Sequence, residues 1–178
     1  MLEVEVMGIK RCVLFCLISL GFCNVTEACT QEGMLGIKFG QKVQENKLKV
    51  FESSPLGVDI YYQTATDIAP YSEILIGVTP LSRQVFSISG RVYGDLELFN
   101  KIANEAQTNS TLKNVKWKRQ KFSLRGDTDD TEIYIHPERI SSTDVRKQII
   151  ESACTNKSLN SKFFSESRQL ILDKRKTR

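Results

Sequence analysis

Few residues in this chain carry atoms suited to chemistry. His136 is the only histidine in 178 residues, so a multi-histidine metal centre is not available, and general-base work would rest on this one imidazole beside Pro137. Asp127, Asp129, Asp130 and Glu132 place four carboxylates within six residues, and hard cations such as calcium favour several oxygens. The spacing departs from an EF-hand loop: Thr131 stands where an oxygen-rich ligand belongs, the glycine is misplaced and the distal Glu is absent. Asp also makes turns by bonding its own backbone, so the stretch reads as a turn and no metal is expected. Hydrolysis by two carboxylates would be diagnosed only by their separation in space. The chain has no Walker loop, no Gly-rich dinucleotide fingerprint and no Cys-x-x-Cys pair. No cofactor is expected, and the chain reads as non-catalytic.

The remaining group is positive. Lys113, Lys116, Lys118, Arg119, Lys121 and Arg125 are interleaved with Trp117 and Phe122. On a strand, Lys116 and Lys118 share the face opposite Trp117, which lays a basic stripe over an exposed sheet surface. Lys116, Trp117, Lys118, Arg119 and Lys121 are therefore the candidate binding residues. Such a surface suits an acidic protein, an anionic envelope polymer or lipid head groups. The competing reading pairs these cations with Glu132 and neighbouring acids across a hairpin, as a solvated face.

Residues 12 to 23, Cys12-Val-Leu-Phe-Cys-Leu-Ile-Ser-Leu-Gly-Phe-Cys23, are twelve residues without a charge, preceded by Lys10 and Arg11 and followed by Asn24-Val-Thr-Glu-Ala28. This is the order of a secretory signal, and the run is too short to span a bilayer comfortably. Residues 1–28 are read as a cleaved signal peptide, leaving no transmembrane span in the mature chain. Glu3 and Glu5 fit poorly in a basic leader, and Met7-Gly-Ile-Lys-Arg11 offers a second start. Losing the leader removes two cations and three carboxylates, which moves the formal charge from +4 to +5. An exported, mildly basic protein argues against nucleic acid as its partner.

Of the five cysteines, Cys12, Cys16 and Cys23 leave with the leader. Cys29 and Cys154 remain and are expected to form one disulfide in a periplasmic or secreted protein. The alternative makes Cys29 the lipidated first residue of a lipoprotein. Ala28 supplies the small residue before it, while Glu27 and the missing Leu depart from the usual box. Asn109-Ser-Thr111 and Asn156-Lys-Ser158 are glycosylation sequons if the exporting cell is eukaryotic.

Positioning falls first to a hairpin followed by a helix. Glu73–Thr79 and Val85–Tyr93 read as strands joined by a turn at Pro80. In the second strand Phe86, Ile88, Gly90 and Val92 share one face and Ser87, Ser89 and Arg91 the other, the pattern of a half-buried strand with one wet face. Asp95 stands at the N-cap of a helix, Leu96–Ala106. Its apolar stripe of Leu98, Phe99, Ile102, Ala103 and Ala106 would lie on the Ile74, Phe86 and Ile88 face. Upstream, Gly33–Gly40 and Leu48–Phe51 read as short strands, and Val58–Thr66 as a strand with Val58, Ile60 and Tyr62 inward.

Downstream, Val115–Leu124 reads as one strand. Val115 and Trp117 have one parity and Phe122 and Leu124 the other, so a bulge near Arg119 and Gln120 would restore a common face. Gly126–Asp130 turns the chain into a partner strand, Glu132–His136. Ser141-Ser-Thr-Asp144 has capping-box spacing ahead of a helix through about Ala153, with Val145, Ile149 and Ala153 in line. Phe163–Arg178 reads as a short docked helix with a frayed basic tail.

These elements predict an α+β fold: a single antiparallel sheet of hairpins packed on one face by two helices. A domain spans 29–162, with a C-terminal short helix and tail at 163–178. In layout the chain resembles bacterial envelope proteins of unknown role and, more loosely, periplasmic inhibitor or immunity proteins. The function expected is that of an exported non-catalytic protein that binds another protein through an exposed sheet face, inhibition being one form such binding could take. The alternative is an envelope-associated lipoprotein or structural protein contacting anionic surfaces.

Overall fold

A computed structural model describes residues 29–43, 48–66, 70–109, 112–139 and 148–177. The expected leader at 1–28, the expected capping box at Ser141–Asp144 and part of the Asn109 sequon lie outside them. The described chain forms β1 (Gly33–Met34), β2 (Ile37–Lys38), β3 (Lys49–Ser53), β4 (Asp59–Ala65), β5 (Glu73–Val78), β6 (Val85–Gly94), α1 (Leu96–Thr108), β7 (Lys116–Gln120), β8 (Ser123–Asp127), β9 (Thr131–Arg139), β10 (Gln148–Asn156) and α2 (Lys157–Lys176). The strands β3-β4-β5-β6-β10-β9-β8-β7 make one eight-stranded sheet, and β1 and β2 pair separately. Every pairing is antiparallel. This is the α+β architecture the sequence predicts, a large antiparallel sheet with helices packed on it.

The β5–β6 hairpin and α1 form where expected. Asp95 accepts the Leu98 N–H at 3.0 Å and caps α1. Phe99, Ile102, Ala103 and Ala106 are buried against a sheet face built from Ile74, Ile76, Val78, Ile88, Val92, Ile133, Ile135 and Ile150. Tyr71 lies on Gly90, where a Cβ would fall 2.4 Å from its ring, so a strand glycine is needed there for close packing. Cys29 and Met34 complete this layer.

Three expectations are corrected. The strand β6 is not wet along the length of its second face: Ser87, Ser89 and Arg91 are all buried, and Tyr93 near the strand's end is the exposed residue of that row. Its register with β5 shifts between Gly77 and Val78, and the irregularity swings Phe86 off the Ile88 face. Phe86 instead stacks on Phe163 of α2 at 4.7 Å and meets Tyr61 edge-on at 6.0 Å.

The helix expected to end near Ala153 is not formed by Gln148–Asn156, which is strand β10, hydrogen-bonded between β6 and β9. Its inward residues are Ile150, Ser152 and Cys154, a period-two set that the helical spacing of Val145, Ile149 and Ala153 had masked. The C-terminal helix begins at Lys157, capped by Asn156, whose side chain accepts the Leu159 N–H. The boundary drawn at residue 163 thus falls inside one continuous helix.

The third correction concerns the basic stretch. Val115–Leu124 is not one bulged strand but a hairpin, with Lys121 and Phe122 at the turn and Trp117 paired with Gly126. A two-residue loop makes partners opposite in parity. The parity change between Trp117 and Leu124 therefore marks a chain reversal, not a bulge.

Candidate functional site

The sheet has two unlike faces. One carries α1 and the core; the other is concave. On that face the Arg91 guanidinium of β6 lies over the Phe51 ring of β3, 5.5 Å from its centroid. A groove of about 500 Å³ runs across this face, lined by Tyr61, Phe86, Ser87, Lys118, Arg125, Glu132, Tyr134, Thr155 and Asn160 among others.

Register assigns the side chains of this face to rows. One row is Glu73, Arg91, Glu151 and His136, on the adjacent strands β5, β6, β10 and β9. Arg91 is buried and meets Glu138 at 3.1 Å, Glu73 at 3.3 Å and Glu151 at 3.9 Å. A buried guanidinium is stable only with its charge compensated, and these carboxylates compensate it from three neighbouring strands. Each is turned onto a permanent cation, so the cluster is arranged as a brace that fixes strand register. His136 stacks on Tyr134 at 4.7 Å. It lies within β9, not at a strand end, because Pro137 pairs with Ile150 while β8 has already ended beside it, leaving the missing N–H without cost.

The next rows change sign. Lys118 pairs across the hairpin with Arg125, and Lys116 with Asp127. Arg125 bonds Glu132 at 2.9 Å. The Asp127 carboxyl meets the Lys157 ammonium, and that hydrogen bond, opposed by burial and helped by the charges of Lys157, Arg125 and Lys116, holds it below the usual carboxylate range. Lys157 also bonds the Thr128 carbonyl. The acidic turn is thus engaged by the protein's own cation. Among the described residues no group of three or more His, Cys, Asp or Glu side chains could hold a metal ion.

The five candidate binding residues therefore divide. Trp117 points to the α1 side and packs on Gly126, where a Cβ would come within 2.5 Å of its ring. Arg119, on the same side, donates to Asn104 at 2.6 Å, Asn100 at 2.7 Å and Gln107 at 3.3 Å, tying the edge strand to α1. Lys121 sits at the turn, its ammonium 5.0 Å from the Phe122 ring. Lys116 and Lys118 alone of the five project to the concave side. The Cys29–Cys154 disulfide is present, with the cysteines' Cα atoms 5.8 Å apart, and it joins the start of the described chain to the middle of the sheet.

The Arg91 cluster was not read from the sequence. Its signal was there: an arginine alternating with serines in an otherwise apolar strand needs a reason to be tolerated. The chain matches no protein-family model, no curated protein and no solved structure.

Proposed function

We propose that this chain acts after export as a non-catalytic binding protein, holding and thereby inhibiting an acidic partner protein at the β7 end of its sheet. The observation that carries the reading is the pair Lys116 and Lys118. They are exposed on an edge strand and make no hydrogen bond or ion pair to another described side chain. Three other cations near them are engaged, Arg119 by α1, Arg125 by Glu132 and Lys157 by Asp127, and Lys121 sits at the turn beside the Phe122 ring. A disulfide supports export, because such bonds persist in oxidising compartments. No helix among the described residues is long and apolar enough to cross a membrane. The reading takes Cys29 as bonded to Cys154 in preference to a lipid anchor at that residue.

A second reading, contact with an anionic surface, draws on α2. Its outer side exposes Phe164, Ile171 and Leu172, and its last turn carries Lys174, Arg175 and Lys176, a composition suited to an anionic interface. One experiment separates the two. The oxidised protein and its Lys116→Glu/Lys118→Glu variant are immobilised and exposed to envelope extract, and both are sedimented with anionic vesicles. An acidic protein retained stoichiometrically by the parent and lost on charge reversal supports the first reading. Salt-sensitive vesicle binding, lost on truncation after Leu172 and unaffected by the lysine changes, replaces it with the second.

A further inference from the structure

We propose that the partner is taken up by strand addition: an extended acidic segment pairs antiparallel with the open edge of β7, its carboxylates opposite Lys116 and Lys118 and an apolar residue between them opposite Trp117. This deepens the binding reading above and rests on it. The eight-stranded sheet ends in two edges, β3 and β7, and an edge offers unpaired N–H and C=O groups to another strand.

The two edges differ. The register of β3 with β4 slips between Val50 and Glu52 and again between Glu52 and Ser53, which throws its edge groups out of line. In contrast, β7 pairs with β8 through five successive residues without a slip, so its outer row keeps regular strand spacing. Among the described residues, Lys116–Gln120 make no backbone hydrogen bond beyond those of the β7–β8 ladder.

Charge then selects the occupant. Lysines on an edge keep like strands apart. A second copy of β7 would bring lysines together, whereas an acidic strand is attracted. The pleat sets the phase of recognition. Incoming side chains opposite Lys116 and Lys118 fall on the concave side, about 5 Å from them. The residue between lies over the half-buried Trp117 indole on the α1 side. Arg119 is held by three amide oxygens of α1, so it steadies the strand and does not reach across. The pattern recognised is acidic, apolar, acidic, in that phase only.

Trp117 is the single tryptophan of the chain and reports binding directly. The oxidised protein is titrated with a panel of end-capped peptides of about ten residues, a length that spans β7, in which Glu or Asp alternates with Val, Ile or Thr. Saturable changes in Trp117 emission and slower amide exchange across Lys116–Gln120 are expected. Methylating the alternate pairing amides should weaken binding about tenfold, the loss of one or two hydrogen bonds, and Lys116→Glu/Lys118→Glu should also weaken it about tenfold.

Equal binding of methylated and plain peptides, protection appearing on β3, or no binding by any of the panel overturns strand addition. Binding to anionic vesicles with none to the peptides does the same. Charge-sensitive capture of an acidic protein that survives any of these results leaves the broader reading standing. Capture indifferent to the lysine changes removes both.

Discussion

Cutting the Cys29–Cys154 bond should destabilise the protein through its unfolded state. The bond joins residues 125 apart in sequence. Cys154 is fully buried and Cys29 nearly so, so reduced thiols would stay packed as small apolar groups and native contacts would change little. Releasing a loop of that length restores chain entropy worth about 5 kcal/mol at 25 °C, against a total stability for a domain of this size of about 5–15 kcal/mol. The assay is urea unfolding followed by Trp117 emission, on the oxidised protein, the reduced protein and Cys29→Ala/Cys154→Ala. Alanine is chosen because a serine hydroxyl at 154 would be buried in an apolar layer. The midpoint should fall in both unbridged forms, and the slope should rise because an uncrosslinked unfolded chain exposes more surface. A loss below about 1 kcal/mol with an unchanged slope would refute the entropic account.

Replacing Arg91 by Met leaves Glu73, Glu138 and Glu151 facing one another without their cation and should cost about 3–5 kcal/mol, seen as a lowered thermal midpoint; a variant as stable as the parent would show that the brace is dispensable. Glu166 accepts the Leu81 and Ser82 N–H groups at 2.8 and 3.0 Å. Burial pushes its carboxyl up, but the Ser82 and Leu81 hydrogen bonds and Lys162 together hold it below the ordinary range. A depressed folded-state pKa gives stability that is present above the unfolded value and lost as pH falls through the folded one. Docking of α2 on the β5–β6 turn should therefore loosen below about pH 4, measured as faster Leu81 and Ser82 amide exchange relative to intrinsic rates, and Glu166→Gln should abolish that dependence. Gly126→Ala should push the indole of Trp117 outward and red-shift its emission, because the new Cβ would fall 2.5 Å from the ring and 2.6 Å from Val115; unchanged emission would contradict the packing described.

The sequence was most legible where local and tertiary preferences agree. Pro80 turns the hairpin, Asp95 caps α1, and the stripe from Phe99 to Ala106 faces the core because each short-range signal matches the long-range packing. It was least legible where a strand's neighbours come from far along the chain. Gln148–Asn156 has both a helical and an alternating apolar pattern, and what decides between them is a slot between β6 and β9 that no local window displays. Arg91 was misplaced for the same reason: two of its compensating carboxylates, Glu138 and Glu151, lie far along the chain, and Glu151 seemed to belong to a helix. The turn at Lys121 and Phe122 lacks the Asn-Gly or Gly-rich signature that betrays tight hairpins, so the reversal passed for a bulge.

The basic cluster shows why composition alone overstates a binding surface. Six cations stand between Lys113 and Arg125, yet folding distributes them over two faces and a turn. Arg119 is held by α1 and Arg125 by Glu132, each satisfied inside the fold. Engaged charges contribute little to association, since an incoming carboxylate must first displace a partner already in place. Lys116 and Lys118 are the pair whose field projects from a regular, unpaired edge, and two charges in that position steer and align a partner more than they hold it. Affinity would have to come from main-chain pairing along β7, which is why blocking the partner's amides, and not merely raising the salt, is the discriminating perturbation.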